Sequence, residues 1–101
     1  MTDSTPVSGL VKLANLRPNL SGFTVEFIIL EKWTVSKTKD DHRISYALVA
    51  DDTASIHLSL WDNQAEQLFP GDIIRLRQGY ASLYRNYLVL YPGKGLMSVT
   101  T

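Results

Sequence analysis

Hydrophobic and polar residues alternate with a period of two along most of this chain, and that period predicts β-strands. The first strong strand runs from Phe23 to Trp33, FTVEFIILEKW, where Val25, Phe27 and Ile29 alternate with Thr24, Glu26 and Ile28 until Leu30 breaks the phase. Such a break in a long strand predicts a bulge that bends it into two sheets. A charged loop, Lys37 to Arg43, leads to a second strand over Ile44 to Ala50, with Ala47 and Val49 inward and Tyr46 and Leu48 outward. Asp51-Asp52-Thr53 reads as a turn, because short polar side chains bond their own backbone there. The third strand, Ser55 to Trp61, alternates most cleanly: Ile56, Leu58 and Leu60 face one way, His57, Ser59 and Trp61 the other.

After it, Asp62 to Phe69 suits a helical turn or two, with Asp62 as cap and Ala65, Leu68 and Phe69 at helical spacing. Pro70-Gly71 fits the middle of a type II turn. A hairpin follows from Gly71 to Tyr91, GDIIRLRQGYASLYRNYLVLY, with Ile74 and Leu76 on one face and Arg75 and Arg77 on the other. Arg85-Asn86 breaks the run, and asparagine tolerates the left-handed backbone of a tight hairpin. Strict parity would put Tyr80 beside Ile74 and Leu76; Gly79 is where a slip of phase is expected, since glycine in a strand often marks a bulge. Before the first strand, Met1 to Gly9 reads as a loose arm, Leu10 to Leu13 as an edge strand or apolar strap, and Leu16-Arg17-Pro18-Asn19 as a turn. The tail from Gly93 onward carries an apolar pair, Leu96-Met97, and no evident element.

Five strands, a bent first strand and a short helix between the third and fourth predict an all-β Greek-key barrel of the OB-fold type, which binds oligonucleotides on its second and third strands and flanking loops. An SH3-like barrel also has five strands but usually lacks that helix. The expected organisation is a flexible arm over residues 1–9, an OB-fold domain over 10–93 and an extension over 94–101.

Composition narrows the chemistry. A chain of 101 residues makes one domain, able to bury about two-thirds of its unfolded surface. Without cysteine there are no disulfides, thiolate metal sites or thiol nucleophiles. No apolar run approaches the ~20 residues of a membrane span, and the polar start MTDSTPVSG does not read as a signal peptide. Ten basic and ten acidic residues cancel, so net charge names no partner, although binding depends on the local field of one face. The two histidines, His42 and His57, fall on different elements, too few ligands for zinc. No nucleophile–base constellation, phosphate-cradling glycine loop or dinucleotide fingerprint appears. A non-enzymatic protein with no cofactor, no membrane contact and no small-molecule substrate is expected.

The hairpin interleaves Tyr80, Tyr84, Tyr87 and Tyr91 with Arg75, Arg77 and Arg85. Tyrosine and arginine on a β surface suit a flexible polyanion with flat bases, and Trp61 on the polar face of its strand fits the same ligand. The same pattern also fits a ribbon whose tyrosines cover the core with their hydroxyls wet. The residues alone leave both readings open. Candidate phosphate contacts are Lys37, Lys39 and Arg43 in the charged loop, with Arg77 and Arg85. His57 and Ser59 share the face of Trp61, Trp33 is a further candidate for stacking, and Tyr46 and Tyr87 read as cover for the barrel wall.

Several strings, in order and spacing, carry a resemblance to one family: Leu30-Glu31, Lys37-Thr38-Lys39-Asp40 with His42, Val49-Ala50-Asp51, Leu60-Trp61-Asp62, Pro70-Gly71-Asp72-Ile73-Ile74-Arg75-Leu76, Gly79-Tyr80-Ala81-Ser82 and Leu88-Val89-Leu90-Tyr91. Over roughly residues 16 to 93 the chain resembles the eukaryotic single-OB, single-stranded DNA-binding proteins that serve as the DNA-binding subunit of the SOSS (sensor of single-stranded DNA) complex, and more distantly the simple single-OB proteins of archaea. The resemblance implies binding of single-stranded DNA in the nucleus, in damage sensing and double-strand-break repair by homologous recombination, with attachment to a large Integrator-type scaffold subunit. It also implies base stacking on Trp61, Tyr80, Tyr84 and Tyr91. Trp33 and Thr34 stand where the family usually has a small residue and a basic one, Ala54 where a turn glycine is usual, and Tyr84 where phenylalanine is frequent. The family's long Gly/Pro-rich tail is absent from this sequence.

The rival functions are an OB-fold docking a protein partner through its aromatic face, a single-stranded RNA binder of the same shape, and a domain that works only within a multisubunit complex.

Overall fold

The alternation read from the sequence folds into strands that close on one another. The structure, a computed structural model, describes residues 10–33, 36–37, 39–62, 64–92 and 96–100, with the side chains of residues 36, 65 and 96 left aside. The expected arm over 1–9 lies outside the described residues, as do Thr34 and residues 93–95 of the tail. In chain order the strands are β1 (Ser21–Lys32), β2 (Ser36–Lys37), β3 (Arg43–Ala50), β4 (Ser55–Trp61), β5 (Ile73–Tyr84), β6 (Tyr87–Tyr91) and β7 (Leu96–Val99). A 3-10 turn over Leu13–Asn15 precedes β1.

Closure depends on the bend in β1. Its first part pairs antiparallel with β5, from Val25↔Leu76 to Ile28↔Ile73, and its last part pairs with β3, from Ile28↔Ala50 to Lys32↔Ala47. The register shifts between Ile29 and Glu31, so Leu30 is the bulged residue where the hydrophobic phase breaks. With β3–β4, β4–β6 and β6–β5 pairings completing the ring, β1, β3, β4, β6 and β5 form a closed five-stranded barrel. The β4–β6 pair is parallel, His57↔Val89 and Leu58↔Leu90, and is the Greek-key closure of an OB-fold. Val25, Phe27, Ile29, Ala47, Val49, Leu58, Leu60, Ile74, Leu76 and Leu90 fill the interior.

The short helix expected between β4 and β5 is a single turn, Gln64–Gln67. Three other local expectations change. Asp62 does not cap the helix: with φ +51 it turns back, Oδ1 accepting the Arg43 N–H at 3.0 Å and Oδ2 lying 3.0 Å from His42 Nδ1. Phe69, expected at helical spacing with Leu68, lies beyond the helical turn and is exposed, because it opens a type II turn closed by the Asp72 N–H on its carbonyl at 3.0 Å, with Gly71 at φ +94. The tail read as lacking an element supplies β7, which pairs with β5 from Ile74↔Val99 to Arg77↔Leu96.

Candidate nucleic-acid interface

Parity on β4 turns His57, Ser59 and Trp61 away from the core, and the neighbouring strands extend that outer wall. Tyr46 on β3 lies opposite Ser59, while Tyr87, Val89 and Tyr91 follow on β6 and Tyr80, Ser82 and Tyr84 on β5. Tyr80 reaches this wall only because β5 slips. Phe23 pairs with Gly79 but Val25 with Leu76, so β5 carries an extra residue, and Gln78 takes the left-handed backbone at φ +59. Burial then alternates as Leu76 in, Gly79 in, Tyr80 out, Ala81 in. The slip lies beside Gly79 as expected, yet glycine is needed for space rather than φ: a Cβ there would sit 2.9 Å from Leu76 Cδ2 and 3.1 Å from Phe23 Cε1.

The β5–β6 hairpin turns through Arg85 (φ +52) and Asn86 (φ +70), the type I′ signature. Its tip overhangs the barrel, which leaves Leu83 exposed although its parity points inward. Along the hairpin the aromatic pairs face each other across strands, Tyr80↔Tyr91 and Tyr84↔Tyr87. The rings of Tyr80 and Tyr91 are stacked, centroids 5.0 Å apart and planes 11° apart. Burial pushes the Tyr91 phenol above its ordinary pKa, with the Tyr46, Tyr80 and Tyr84 phenols adding to the rise, so it stays neutral at physiological pH. Arg85 lies over the Tyr84 ring at 5.3 Å. Trp61, Tyr80 and Tyr84 are 41%, 40% and 48% exposed, flat surfaces open to solvent.

Trp61 is held in place. Its backbone N–H donates to Gln64 Oε1 at 2.8 Å, its indole Nε1–H donates to Ser59 Oγ at 3.0 Å, and His42 meets its edge with centroids 6.2 Å apart. Ser59, placed by the sequence on the face of Trp61 as a candidate DNA contact, is only 1% exposed: the indole folds over it, and its hydroxyl accepts the indole N–H.

The cations divide into paired and open groups. Lys37 is 3.2 Å from Asp41, and Arg43 pairs with Glu66. The Asp62 carboxyl is held below its usual range by the Arg43 backbone N–H first and by His42 second. Lys39, Arg77 and Arg85 are exposed. Arg77 precedes the slip, on the part of β5 that pairs with β7, and shares its outward parity with Arg75, which forms an ion pair with Glu26 at 2.8 Å. The structure therefore does not gather Arg77 into the tyrosine ladder.

Trp33 joins the wall from the end of β1, its N–H donating to the Tyr46 carbonyl at 2.9 Å and its indole 5.5 Å from the His57 ring. Tyr46 and Tyr87, read from the sequence as wall cover, line the same aromatic surface as Trp33, His57 and Tyr84. The signal available was parity: Tyr46 is outward on β3, and Tyr87 shares the face of Tyr91. Among the described residues no group of three or more His, Asp or Glu side chains is placed to hold a metal ion.

Comparison with known proteins agrees with the fold. The model of the family described as single-stranded DNA binding protein Ssb-like, OB fold, matches residues 16–94. The single-stranded DNA binding protein Ssb of Saccharolobus solfataricus is 28% identical over 85 residues, 81% of this chain but only 57% of that protein's length. A crystallised domain of replication protein A from Methanococcus maripaludis superposes with a TM-score of 0.77 at 23% identity, covering 90% of this chain and 94% of that one. The Pot1pC domain of Schizosaccharomyces pombe, crystallised with single-stranded DNA, superposes with a TM-score of 0.64 at 13% identity over 90% of this chain and 86% of that one. The chain belongs to the Ssb-like family of OB-fold single-stranded DNA-binding proteins.

Proposed function

We propose that this chain is a non-enzymatic module that coats or senses single-stranded DNA, stacking bases on Trp61, on the Tyr80–Tyr91 pair and on Tyr84. The observation that carries the reading is the continuous outer wall on which Trp61, Tyr80 and Tyr84 stand open beside the half-buried Tyr91, built by β4, β5 and β6 around one parallel closure. Each base stacked on an aromatic ring contributes ~1–3 kcal/mol and tolerates any sequence. Lys39 and Arg85 hold phosphates, joined by Lys37 and Arg43 when the backbone displaces their carboxylate partners. About three phosphate contacts at ~0.7 each give a log–log salt slope near −2.

The resemblance to the DNA-binding subunit of the SOSS complex supports a more specific setting: a nuclear role in DNA-damage sensing and double-strand-break repair, with attachment to a large Integrator-type scaffold subunit. The strings from Leu30-Glu31 to Leu88-Val89-Leu90-Tyr91 support that setting, and pull-down of a scaffold from nuclear extract by the full chain, lost on moving to a cytoplasmic extract, would test it.

Both tryptophans of the protein, Trp33 and Trp61, stand on this wall, so intrinsic fluorescence reports directly on binding. Titration with oligo-dT at two salt concentrations should give salt-sensitive quenching, with duplex DNA much weaker. Trp61→Ala should weaken oligo-dT binding by about tenfold or more while circular dichroism shows an intact β fold; unchanged affinity rules the platform out.

A further inference from the structure

Next to the open platform the wall folds into a recess of about 290 Å³, lined by Trp33, Tyr46, His57, Tyr84, Tyr87 and Val89. That volume is at the small end of ligand pockets, ~300–1,000 Å³. Its shape follows from two separate constraints. The backbone hydrogen bond from Trp33 to Tyr46 pins the chain leaving β1 against β3 and rests the indole beside His57. The type I′ turn at Arg85-Asn86 fixes the overhanging hairpin that carries Tyr84 and Tyr87 in register. Val89, outward by parity yet only 3% exposed, is covered by the rings around it.

A shallow recess walled by aromatic faces and open on one side takes a flat ring. Two observations identify the ring as one borne by a polyanion running along the platform. Tyr84 belongs both to the tyrosine ladder and to the recess, so the two surfaces are continuous. The Arg85 guanidinium, over the Tyr84 ring, places a positive charge beside the recess where the chain bearing that ring carries phosphate.

We propose that the recess takes one nucleobase out of the stacked row and seats it against Trp33, Tyr84 and Tyr87, with one side left open to solvent. This rests on the reading that the wall binds single-stranded DNA, and adds to it a subsite of a different kind. A base on an open ring is held by its face, whereas a base seated in the recess is also met along one edge by the lining side chains. The His57 ring, which lines the recess 5.5 Å from the Trp33 indole, is placed to meet that edge. Sequence preference is therefore concentrated at one position of the bound strand, with its neighbours indifferent.

The test is an abasic scan of the shortest oligo-dT that binds wild-type protein with full affinity, one base removed at a time. One position should cost about fivefold or more through the recess. In Trp33→Ala that same position should cost under about twofold while the costs at the other positions persist, the signature of direct coupling. Tyr87→Ala, a substitution of a side chain 70% accessible to solvent, should reproduce the pattern, with circular dichroism checking that the β fold is intact. If both variants keep the wild-type profile, or lose affinity equally at every position, the recess holds no base. Trp61→Ala provides the separate control: it should abolish the cost at a different position, and if it couples to none, the platform fails whatever the recess does.

Discussion

Tyr80 and Tyr91 face each other across β5 and β6 with their rings stacked, 5.0 Å between centroids. No base fits between rings at that spacing, so in the proposed function the pair would offer one platform rather than two. Each ring fixes the other's orientation, and removing either leaves its partner free to rotate. Tyr80→Ala and Tyr91→Ala should each weaken oligo-dT binding about tenfold. The double variant should fall short of the product of the two, by the ~0.5–1.5 kcal/mol that an aromatic pair contributes. Fluorescence titration of the full cycle measures this, and strict additivity would mean that the rings bind separate bases.

Ser59 should affect DNA binding without touching DNA. Its buried hydroxyl accepts the Trp61 indole N–H, and Ser59→Ala removes that tether while leaving the ring. Because the indole is partly exposed, water replaces the lost partner, and the stability change should stay within the ~0.5–1.5 kcal/mol of one hydrogen bond. Affinity for oligo-dT should drop a few-fold through the looser ring, with the emission maximum of free protein shifted to the red. Ser59→Thr, which keeps the hydroxyl, should restore both where Ser59→Ala loses them.

The fold was largely legible because its signals are local. Alternation places Ile56, Leu58 and Leu60 inward, the phase break at Leu30 marks the bend in β1, and Pro70-Gly71 and Arg85-Asn86 mark their turns. What stayed hidden depends on contacts distant in sequence. Nothing near Ser59 says that the tryptophan two residues later folds back over it. Parity makes Tyr46 and Tyr87 outward, but only the parallel β4–β6 closure brings their strands to one wall. The slip in β5 falls on Gln78, a residue with no preference for left-handed backbone, because Phe23 and Leu76 leave Gly79 no room for a side chain. The tail became β7 because β5 offers a free edge before its slip, a long-range pairing invisible in the apolar pair Leu96-Met97.

Gly79 therefore gives a clean packing prediction. An added methyl would meet Leu76 Cδ2 at 2.9 Å and the Phe23 ring at 3.1 Å, both in the core. Gly79→Ala should destabilise the domain by about 1–3 kcal/mol, the range for overpacking, and lower Tm accordingly. Since Tyr80 is the next residue, the variant should also lose oligo-dT affinity at temperatures where it remains folded. Gln78→Gly, which relieves a left-handed non-glycine residue, should do neither.

Asp51 sets the acid side of stability. Its Oδ1 accepts the backbone N–H groups of Thr53 and Ala54 and the Thr53 hydroxyl, while Oδ2 accepts the Leu13 N–H at 2.8 Å and so ties the 3-10 turn to the barrel. Partial burial alone would raise its pKa, but the hydrogen bonds from Thr53, Leu13 and Ala54 together outweigh it and hold the carboxyl below its ordinary value. The folded state therefore prefers the ionised form. The stabilisation is fully present above the unfolded pKa of about 3.9 and is lost as pH falls through the lower folded value. Asp51→Asn keeps one acceptor for the turn but sets an amide against the Leu13 N–H, and should cost about 1.5–3 kcal/mol at pH 7, roughly 4–8 °C in Tm per kcal/mol for a domain of this size. The gap between wild type and variant should narrow as pH drops below about 4, because only the wild type has a charge to lose there. Thermal melts from neutral pH into acid follow both curves, and a gap that stays constant would show that Asp51 holds its partners without its charge.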